Sequence, residues 1–578
     1  MRRSDEMLKQ EEPLLLTPSP NPKGGFKTIP FILATDLFER LASSGLSPNM
    51  IRYLMEEYHM DVTTGNNIIL FWSAATNFLP VLGAFIADSF LGRYRMIGVG
   101  TIFSLLGMAI LWLTTFITQA RPPPCTGSVE TTCIPSNFQV IFLCSSFCLL
   151  SMGAGGIRSS SVAFGANQLA NKDVNLASSR SLQSYFNWYI ATSSVAVLLA
   201  STVVVYIQDK MGWEVGYGIP VVLVFLSVLS FFVASPLYVK PKSKSSLITG
   251  FFRVIAAAYN NRHVDLPTDT TSVLFHCKED SRRIVPSEKL RFLNKACLIK
   301  NGREQERPAD GERLSSNICT VDQVEEFKAL LKVIPLWSTG MIMSINMNQP
   351  SFPLLQATSM DRHITSNFEI PAGSFGTIGI IALTLWVVLY NQVILRLGSK
   401  IMGRTISFTI KQRMGTGIFV SFLAMVVSAV VEGIRRDRAV TVKNLNVAVT
   451  TVQMSAMWLV PQNCLSGIAE ALNAVALIEF FYREFPSSMS SIASTMYGVG
   501  MSAGNLLASF LLSTIDDVTG REGKISWISS NIDEGHYDYY YWFLAGLSLI
   551  NLMYFFLCSW AYGPCEGECI GSGTSSTD

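Results

Sequence analysis

The sequence predicts an all-α membrane protein with twelve transmembrane helices in two six-helix bundles. Its 578 residues are 49% hydrophobic and only 15% charged, whereas a soluble domain carries about a quarter charged residues. Its long apolar stretches also fall into two sets of six, separated by one polar segment. Composition and spacing together therefore indicate a multi-pass membrane protein with two similar halves.

Apolar stretches define the individual spans, because a helix needs roughly 20 mainly apolar residues to cross a bilayer. The first six predicted spans lie near residues 28–57, 66–90, 95–118, 137–168, 180–207 and 214–239. The second six lie near residues 324–347, 372–395, 414–434, 448–480, 488–513 and 540–562. Six spans on each side of a charged linker is the layout of the major facilitator fold, whose halves are repeats.

The spans divide the chain into five segments with predicted locations. These are a cytosolic tail (1–27), the N-terminal bundle (28–239), a cytosolic central linker (240–321), the C-terminal bundle (322–562) and a second cytosolic tail (563–578). Basic residues mark cytosolic loops, and the linker holds fifteen Lys and Arg. The loop "EGIRRDRAVTVK" between spans 9 and 10 is an exception, being basic on the predicted outer face. The first 27 residues are polar and charged, so no cleavable signal peptide is predicted.

The first span carries three charges within little more than one helical turn. Asp36, Glu39 and Arg40 share one helix face at about 100° per residue, and Pro48 predicts a kink after them. A charge inside a span costs roughly 2.5–3.5 kcal/mol, so it normally faces a cavity and marks function. Arg40 can neutralise one carboxylate and leave the other free to bind a proton. The alternative is a cluster that snorkels to the cytosolic surface, although Asp36 lies about eight residues inside the span.

Two further charges fall in the middle of predicted spans. Arg158 lies in "SMGAGGIRSSSVAFG" of span 4, and Glu470 lies in "LSGIAEALNAVALIEFF" of span 10. Each is costly alone, which predicts an Arg158–Glu470 or an Arg158–substrate interaction; a purely structural salt bridge between the halves is the alternative. The three carboxylates and two arginines together carry one negative charge, because arginine stays protonated. One added proton makes the site neutral, and a second makes it cationic. This balance predicts proton-driven uptake of an anion, with Asp36, Glu39, Arg40 and Glu470 coupling the proton.

Short motifs are spread along the chain from about Gly24 to Trp560. They are "DLFER", "GAFIADSFLGRYR", "GAGGIRSSSVAFGANQ", "FNWYIATSS", and "RFLNKACLI" followed by "CTVDQVEEFKALLKVIPLWSTGM". Together they resemble the plant nitrate/peptide transporter family, a branch of the proton-coupled oligopeptide transporters within the major facilitator superfamily. The first motif is similar to the family's ExxER proton-coupling motif in helix 1.

The resemblance implies alternating access, with substrate bound between the halves and protons entering through the helix-1 motif. Glu39 and Arg40 match the second acid and the base of that motif, and Glu470 matches the helix-10 glutamate. Asp36 stands where most members have glutamate, and its shorter side chain changes its reach to Arg40. Arg158 stands where many members have lysine; it keeps its charge and presents a planar fork to carboxylate or nitrate.

Nitrate is the first predicted substrate, and the resemblance leaves plant hormones, glucosides and di- or tripeptides as alternatives. Some nitrate-carrying members have a histidine in helix 7 at the position where this chain has Met347. The polar neighbours Asn346, Asn348 and Gln349 are predicted to line the pocket instead. A transport-like receptor that senses substrate would carry the same binding residues.

Two loops carry further predictions. Asp88, Gly92 and Arg93 in the turn between spans 2 and 3 fit a conformational latch on the cytosolic face, as the resemblance implies. Ordinary positive-inside topology and a tight turn explain Gly92 and Arg93 without a latch. Cys125 and Cys133 lie in the outward loop "RPPPCTGSVETTCIPS", where they form either a disulfide or two free thiols.

Other functional classes are not supported. The Cys and His residues have no metal-ligand spacing, and no nucleophile or paired catalytic groups of a membrane enzyme are visible, so no catalytic residue, metal or cofactor is predicted. A net charge of +2 gives no case for nucleic-acid binding. The predicted partners are protons, a small solute and the lipid bilayer, and the oligomeric state stays open. The plasma membrane is the predicted location; the vacuolar membrane is the alternative, because "EEPLLL" in the N-terminal tail resembles a sorting signal.

Overall fold

Helices make up almost all of the secondary structure, because an apolar chain in a bilayer must satisfy its backbone N–H and C=O groups within each segment. The computed structural model describes residues 24–123, 134–170, 176–240, 247–263, 275, 285–298, 319–349, 351–366, 368–390, 395–403, 408–444, 452–486 and 489–563.

The N-terminal bundle contains seven helical segments that form six spans. They are α1 (Ile29–Leu46), α2 (Met50–Glu56), α3 (Val62–Ile86), α4 (Arg93–Phe116), α5 (Asn137–Ala170), α6 (Leu176–Leu199) and α7 (Val205–Val233). The first span breaks between α1 and α2, which confirms the kink predicted at Pro48. The segment α7 turns at Gly212, whose φ of 82° and ψ of 175° are not helical. The start of α7 therefore completes span 5, and the remainder is span 6.

The described residues of the linker and the C-terminal bundle form nine α-helices. They are α8 (Leu247–Asn260), α9 (Val321–Met347), α10 (Ser351–Ser359), α11 (Gly376–Leu389), α12 (Leu395–Met402), α13 (Ile410–Asn444), α14 (Val460–Glu484), α15 (Ser490–Thr519) and α16 (Tyr537–Tyr562). Here α9, α13, α14, α15 and α16 are one span each, while the segment Ala372–Leu389, which includes α11, is span 8.

The number of spans agrees with the predicted fold class. In the described residues, ten apolar segments are long enough to cross a membrane. One of them, Gln183–Leu237, is 55 residues long and holds spans 5 and 6. The helix α1 is not among the ten because Asp36, Glu39 and Arg40 make it too charged. With α1 added and the long segment divided, the total is twelve.

The predicted start of span 10 at residue 448 is wrong. Four short strands lie at one end of the C-terminal bundle: β1 (Met360–Asp361), β2 (His363–Thr365), β3 (Phe368–Glu369) and β4 (Val452–Ser455). Strand β4 pairs in parallel with β1, and β2 pairs antiparallel with β3. The strand β4 is extended where a helix was predicted, and Pro461 in the first turn of α14 sets the true start of the helix.

Most of the described side-chain hydrogen bonds between the two halves lie at the end of the bundle opposite the termini, which we call the outer end; one more lies about half-way along α3 and α15, where Asn505 donates to Ser73 Oγ at 2.9 Å. Helix α3 packs against α15, and the side chain of Asn67 donates to Ser513 Oγ at 2.9 Å and accepts from Ser509 at 2.6 Å. Ser351 donates to Asn66 Oδ1 at 2.7 Å. The halves are thus fastened together at the outer end.

A second junction at the outer end depends on a π-helical turn, Ala200–Val204, between α6 and α7. The wider π-helical turn alters which backbone carbonyl oxygens are hydrogen-bonded within the helix. The carbonyl oxygen of Ser201 accepts hydrogen bonds from the side chains of Ser374 and Thr377, both at 3.2 Å. The N-terminal half is therefore joined to the start of α11 as well as to α15.

Candidate functional site

The three charges of the first span form an ordered cluster on α1. Arg40 Nε donates to Asp36 Oδ2 at 2.7 Å, so the short aspartate side chain reaches its partner one turn away. Tyr189 on α6 donates to Asp36 Oδ1 at 3.0 Å and accepts from Arg40 Nη2 at 2.8 Å. Ser193 adds a further hydrogen bond to Asp36 Oδ2 at 3.3 Å. Asp36 and Arg40 are therefore hydrogen-bonded to each other and to side chains of α6.

Glu39 is arranged differently, although it lies on the same helix face. Its side chain is buried, and its Oε2 atom has no hydrogen-bond partner. Arg158 on α5 lines the same cavity as Glu39, whereas Arg40 is held by Asp36. The unsatisfied carboxylate of the cluster thus faces the unpaired arginine of span 4.

Glu39 and Arg158 line one cavity of about 210 Å³ within the N-terminal half. One part of its wall is polar, with hydroxyl or amide side chains: Ser43, Ser44, Ser47, Ser73, Thr76, Asn77 and Ser104. The remaining wall is largely apolar: Leu46, Ile69, Trp72, Met108, Leu150, Ala154 and Val224. Besides Glu39 Oε2, the Nε atom of Arg158 and the indole N–H of Trp72 are buried without partners. The cavity therefore keeps hydrogen-bonding capacity for both a donor and an acceptor.

Arg158 does not pair with Glu470 in this structure. Within the described part of the chain Glu470 makes no ion pair, and Tyr497 of α15 is its ionisable neighbour. The expected contact between the two charges would cross from one half to the other. It is absent because α5 and α14 do not pack closely against each other.

The predicted polar residues of α9 point into the C-terminal bundle. Asn346 donates to Ser421 and Ser548, at 3.0 and 2.5 Å. Gln349 donates to Tyr540 at 3.1 Å, and Asn348 donates to the backbone carbonyl of Ser344 at 2.9 Å. None of the three lines the cavity of Glu39 and Arg158.

The turn predicted as a latch contains an internal ion pair. Arg93 Nε lies 3.3 Å from Asp88 Oδ1. Gly92 between them has a φ of 78°, a left-handed conformation that favours glycine. This geometry accounts for the tight turn, and its use as a latch stays a prediction. Cys125, Cys133 and the "EEPLLL" tail lie outside the described residues, so the disulfide and the sorting signal stay predictions as well.

A second charged cluster lies near the outer end of α13 and was not predicted as a unit. Arg435 is fully buried and donates from Nε and Nη2 to the carboxylate of Glu432, at 2.9 and 2.8 Å. It also donates to Asp533 at 2.6 Å, to Ser359 at 3.1 Å and to the carbonyl of Ile532 at 2.9 Å. The basic sequence "EGIRRDRAVTVK" thus departs from the positive-inside pattern because Arg435 fastens the loop before α16.

Two residues that hydrogen-bond to the helix-1 cluster, Tyr189 and Ser193, were not singled out from the sequence. Both lie in the motif "FNWYIATSS", which gave the only available signal. A tyrosine in an apolar span needs a hydrogen-bond partner, but nothing in one sequence shows which helix supplies it. The pairing of α1 with α6 provides that partner.

Known proteins resemble this chain over most of its length. The model of the POT family matches residues 94–528. The Arabidopsis thaliana proteins NRT1/PTR FAMILY 1.2 and NRT1/PTR FAMILY 1.1 are each 52% identical to this chain, over 550 and 548 residues. Both alignments cover 94% of this chain, and they cover 90% and 92% of the two relatives.

Solved structures share the fold at low sequence identity. The POT family transporter PepTSo superposes with a TM-score of 0.66 and 16% identity, covering 93% of this chain and 98% of that one. An auto-inhibited POT family peptide transporter gives a TM-score of 0.68 and 17% identity, covering 94% and 98%. Extensive identity to the plant proteins and the shared architecture lead to one conclusion. This chain belongs to the POT family, whose members are proton-coupled membrane transporters and not enzymes.

Proposed function

We propose that this protein is a symporter that moves a small anion, nitrate first, together with protons by alternating access. The observation that carries the proposal is the shared cavity of Glu39 and Arg158, in which Glu39 has an unpartnered oxygen. Arg40 is held by Asp36, so Arg158 is the cation left to respond to the state of Glu39.

The charges suggest how a proton and an anion become linked. Asp36 and Arg40 cancel each other whether or not substrate is present. When Glu39 carries a proton, the charge of Arg158 is no longer opposed and attracts an anion into the cavity. Loss of the proton restores the negative charge of Glu39 beside Arg158 and expels the anion. Proton and anion thus enter and leave together.

The sequence suggested Glu470 as the acidic partner of Arg158. In this proposal Glu39 is that partner. Glu470 keeps a proposed role as a second proton site, because it lies in a span without a neighbouring cation. The hydrogen bonds between α3 and α15 close the outer end. We therefore assign the structure to the step at which the solute exchanges with the cytosol.

The size of the cavity favours a second candidate substrate class. A volume of about 210 Å³ exceeds what a four-atom anion fills, and Trp72 and Met108 give it an apolar wall. A larger organic anion, such as an acidic plant hormone, would place its carboxylate at Arg158 and its apolar body against that wall. Neutral peptides and glucosides lack the net negative charge that Arg158 selects.

Uptake into proteoliposomes tests both the coupling and the substrate. The purified protein is reconstituted with an inward proton gradient, and accumulation of nitrate, organic carboxylates and dipeptides is compared with and without the gradient. We expect Glu39→Gln to abolish gradient-driven accumulation while exchange between equal pools survives. Glu56→Gln, an exposed carboxylate at the outer end of the same span, is the matched control and should behave as wild type.

The outcomes separate the candidates. Accumulation of nitrate alone supports the first substrate, and stronger accumulation of organic anions supports the second. Gradient-driven accumulation in a well-expressed Glu39→Gln protein would rule out Glu39 as the coupling group. Substrate binding without flux in the wild type would identify the transport-like receptor instead.

We propose the plasma membrane as the site of action, with the vacuolar membrane as the alternative. The acidic dileucine sequence of residues 11–16 motivates the alternative. A fluorescently tagged full-length chain and its Leu14→Ala/Leu15→Ala variant should both reach the plasma membrane. Vacuolar fluorescence that shifts to the plasma membrane in the variant would establish the alternative.

A further inference from the structure

Helix α8 of the central linker has one face that is packed and one that is not. Val254 and Ala257 are buried in a small cluster with the first turn of α9. Phe251 lies against Phe327 of α9, with ring centroids 5.8 Å apart. The packed face thus fixes α8 beside the end of the C-terminal bundle where the termini lie.

The opposite face of α8 is apolar and exposed. Phe252, Ile255 and Tyr259 are 70%, 48% and 65% exposed. Their spacing of three and four residues places them in one stripe along the helix. Leaving several large apolar side chains in water is unfavourable, and such a patch marks a surface that meets a membrane or another molecule.

Basic residues border this stripe. At about 100° per residue, Arg253 lies to one side of the stripe, and Arg262 lies in the turn that follows the end of α8 at Asn260. The guanidinium of Arg262 lies over the ring of Tyr259, 4.4 Å from its centroid. Between residues 240 and 262 the sequence holds five Lys or Arg and no Asp or Glu. An apolar stripe flanked by cations is the pattern of a helix that lies in a membrane interface.

The position of α8 in the chain puts it at the height of the bilayer surface. It follows α7, which ends at Val233, and precedes α9, which begins at Val321. The end of α7 lies beside the first described residue, since the backbone N–H of Gly24 donates to the carbonyl of Leu237 at 2.8 Å. The early part of α9 lies beside the end of α16, since Lys332 Nζ lies 4.9 Å from the centroid of the Tyr562 ring. A helix packed on the first turn of a span reaches the headgroup layer.

We propose that α8 lies in the headgroup layer of the membrane on the side of the termini and binds anionic phospholipid there. Phe252, Ile255 and Tyr259 contact the acyl boundary, while Arg253 and Arg262 bind the phosphate groups. The five Lys or Arg of residues 240–262, without an Asp or Glu among them, select anionic over zwitterionic lipid, because each cation near the surface adds attraction to a negative leaflet. This binding is independent of which solute the cavity carries.

Photo-cross-linking of the full-length protein in liposomes tests the proposal directly. Photoactivatable phosphatidylglycerol or phosphatidylcholine is added, and the cross-linked peptides are mapped by mass spectrometry after chymotrypsin cleavage. We expect labelling within residues 252–262 to be at least about fivefold greater with the anionic lipid, given the attraction of two surface arginines. The bilayer-facing helix α16 should be labelled by both lipids and serves as the internal reference.

Two double variants assign the contributions of charge and apolar contact. Arg253→Gln/Arg262→Gln should lose the preference for phosphatidylglycerol and keep labelling by phosphatidylcholine. Phe252→Ser/Ile255→Ser should lose labelling by both lipids. Arg521→Gln/Lys524→Gln, at the outer end, removes the same charge from the opposite side and should change neither.

Either of two results would overturn the proposal. Equal labelling by the two lipids in the wild type would remove the anionic selectivity. No labelling of residues 252–262, with α16 labelled normally, would show that another part of the linker or a cytosolic protein covers this face. Because each result is read against α16 in the same sample, poor folding of a variant is recognised separately.

Discussion

Each half of the molecule buries one acid–arginine cluster, and the two clusters differ in how completely their hydrogen bonds are used. In the C-terminal half, all five N–H donors of Arg435 have acceptors, two of them on Glu432. In the N-terminal half, Asp36 and Arg40 are paired, but Glu39 beside them keeps an oxygen without a donor. A buried charge is costly in both places. The saturated cluster holds the structure together, and the unsaturated one retains capacity for a proton or a ligand.

This difference teaches how to interpret charges inside a membrane. Position in a span alone would mark Glu432 and Arg435 as functional as strongly as Glu39 and Arg158. Hydrogen-bond satisfaction separates them, because every donor of Arg435 and both carboxylate oxygens of Glu432 have partners. It follows that substitutions in the two clusters should fail in different ways: one by losing stability, the other by losing transport.

The largest expected effect is on the saturated cluster. Arg435→Ala should lower the free energy of unfolding by about 3–5 kcal/mol, because it leaves the carboxylate of Glu432 buried without its cation. Thermal denaturation of the purified protein measures the loss. Arg438→Ala, an exposed arginine of the same helix, is the control and should melt as wild type does. If Arg435→Ala is as stable as wild type and has lost transport, the comparison is wrong.

The next effect is on transport by the unsaturated cluster. Arg158→Ala should abolish nitrate-induced current at normal expression, since losing a charge partner costs about 2–5 kcal/mol of anion binding. Arg158→Lys should keep some current with a raised Michaelis constant, because lysine has the charge without the planar fork. Wild-type currents in Arg158→Ala would show that this arginine is structural and would remove the main support for an anionic substrate.

A smaller effect is expected at the link between α1 and α6. Tyr189→Phe keeps the ring near Arg40 but removes the hydroxyl that bonds both Asp36 and Arg40, a loss of about 1–3 kcal/mol. Arg40 keeps its Nε bond to Asp36, but its Nη2 group loses its acceptor and can turn towards Glu39, so half-maximal uptake should shift to lower pH. The pH profile of nitrate uptake measures this shift. Tyr185→Phe, whose hydroxyl bonds only backbone carbonyls of α5, should leave the profile unchanged; matching profiles for Tyr189→Phe would refute the link.

The smallest effect concerns His536, which borders the saturated cluster. Burial and the nearby Arg436 guanidinium lower the pKa of His536 below its ordinary value of 6.5. The folded state thus binds fewer protons than the unfolded state, and its stability falls as the pH drops below about 6.5. His536→Phe keeps the stacking on Tyr539 and should reduce the loss of melting temperature between pH 7.5 and 5.5 by about 1 °C. An unchanged pH dependence would exclude His536 as a contributor, and pH 7.5 against 8.5 is the control interval.

The sequence by itself determined the features that depend on local spacing. Hydropathy indicated twelve spans, since bilayer thickness sets the length of an apolar helix. The spacing of Asp36 and Arg40 predicted their pairing, because residues four apart meet on one helix face. The same reasoning failed at the start of span 10. The segment is apolar enough to be helical, but β4 is extended and Pro461 marks the start of α14, so the helix begins later than hydropathy predicted.

Only the tertiary structure decided which charges meet. Arg158 lines a cavity with Glu39 and does not meet Glu470, because α5 and α14 do not pack closely against each other. Asn346 and Gln349 are bound inside the C-terminal bundle, although their sequence positions suit a pocket equally well. Tyr189 reaches the helix-1 cluster across 153 residues of chain. A sequence specifies which polar groups need partners within a membrane, but helix packing across long separations determines which partners they find and which groups remain unsatisfied.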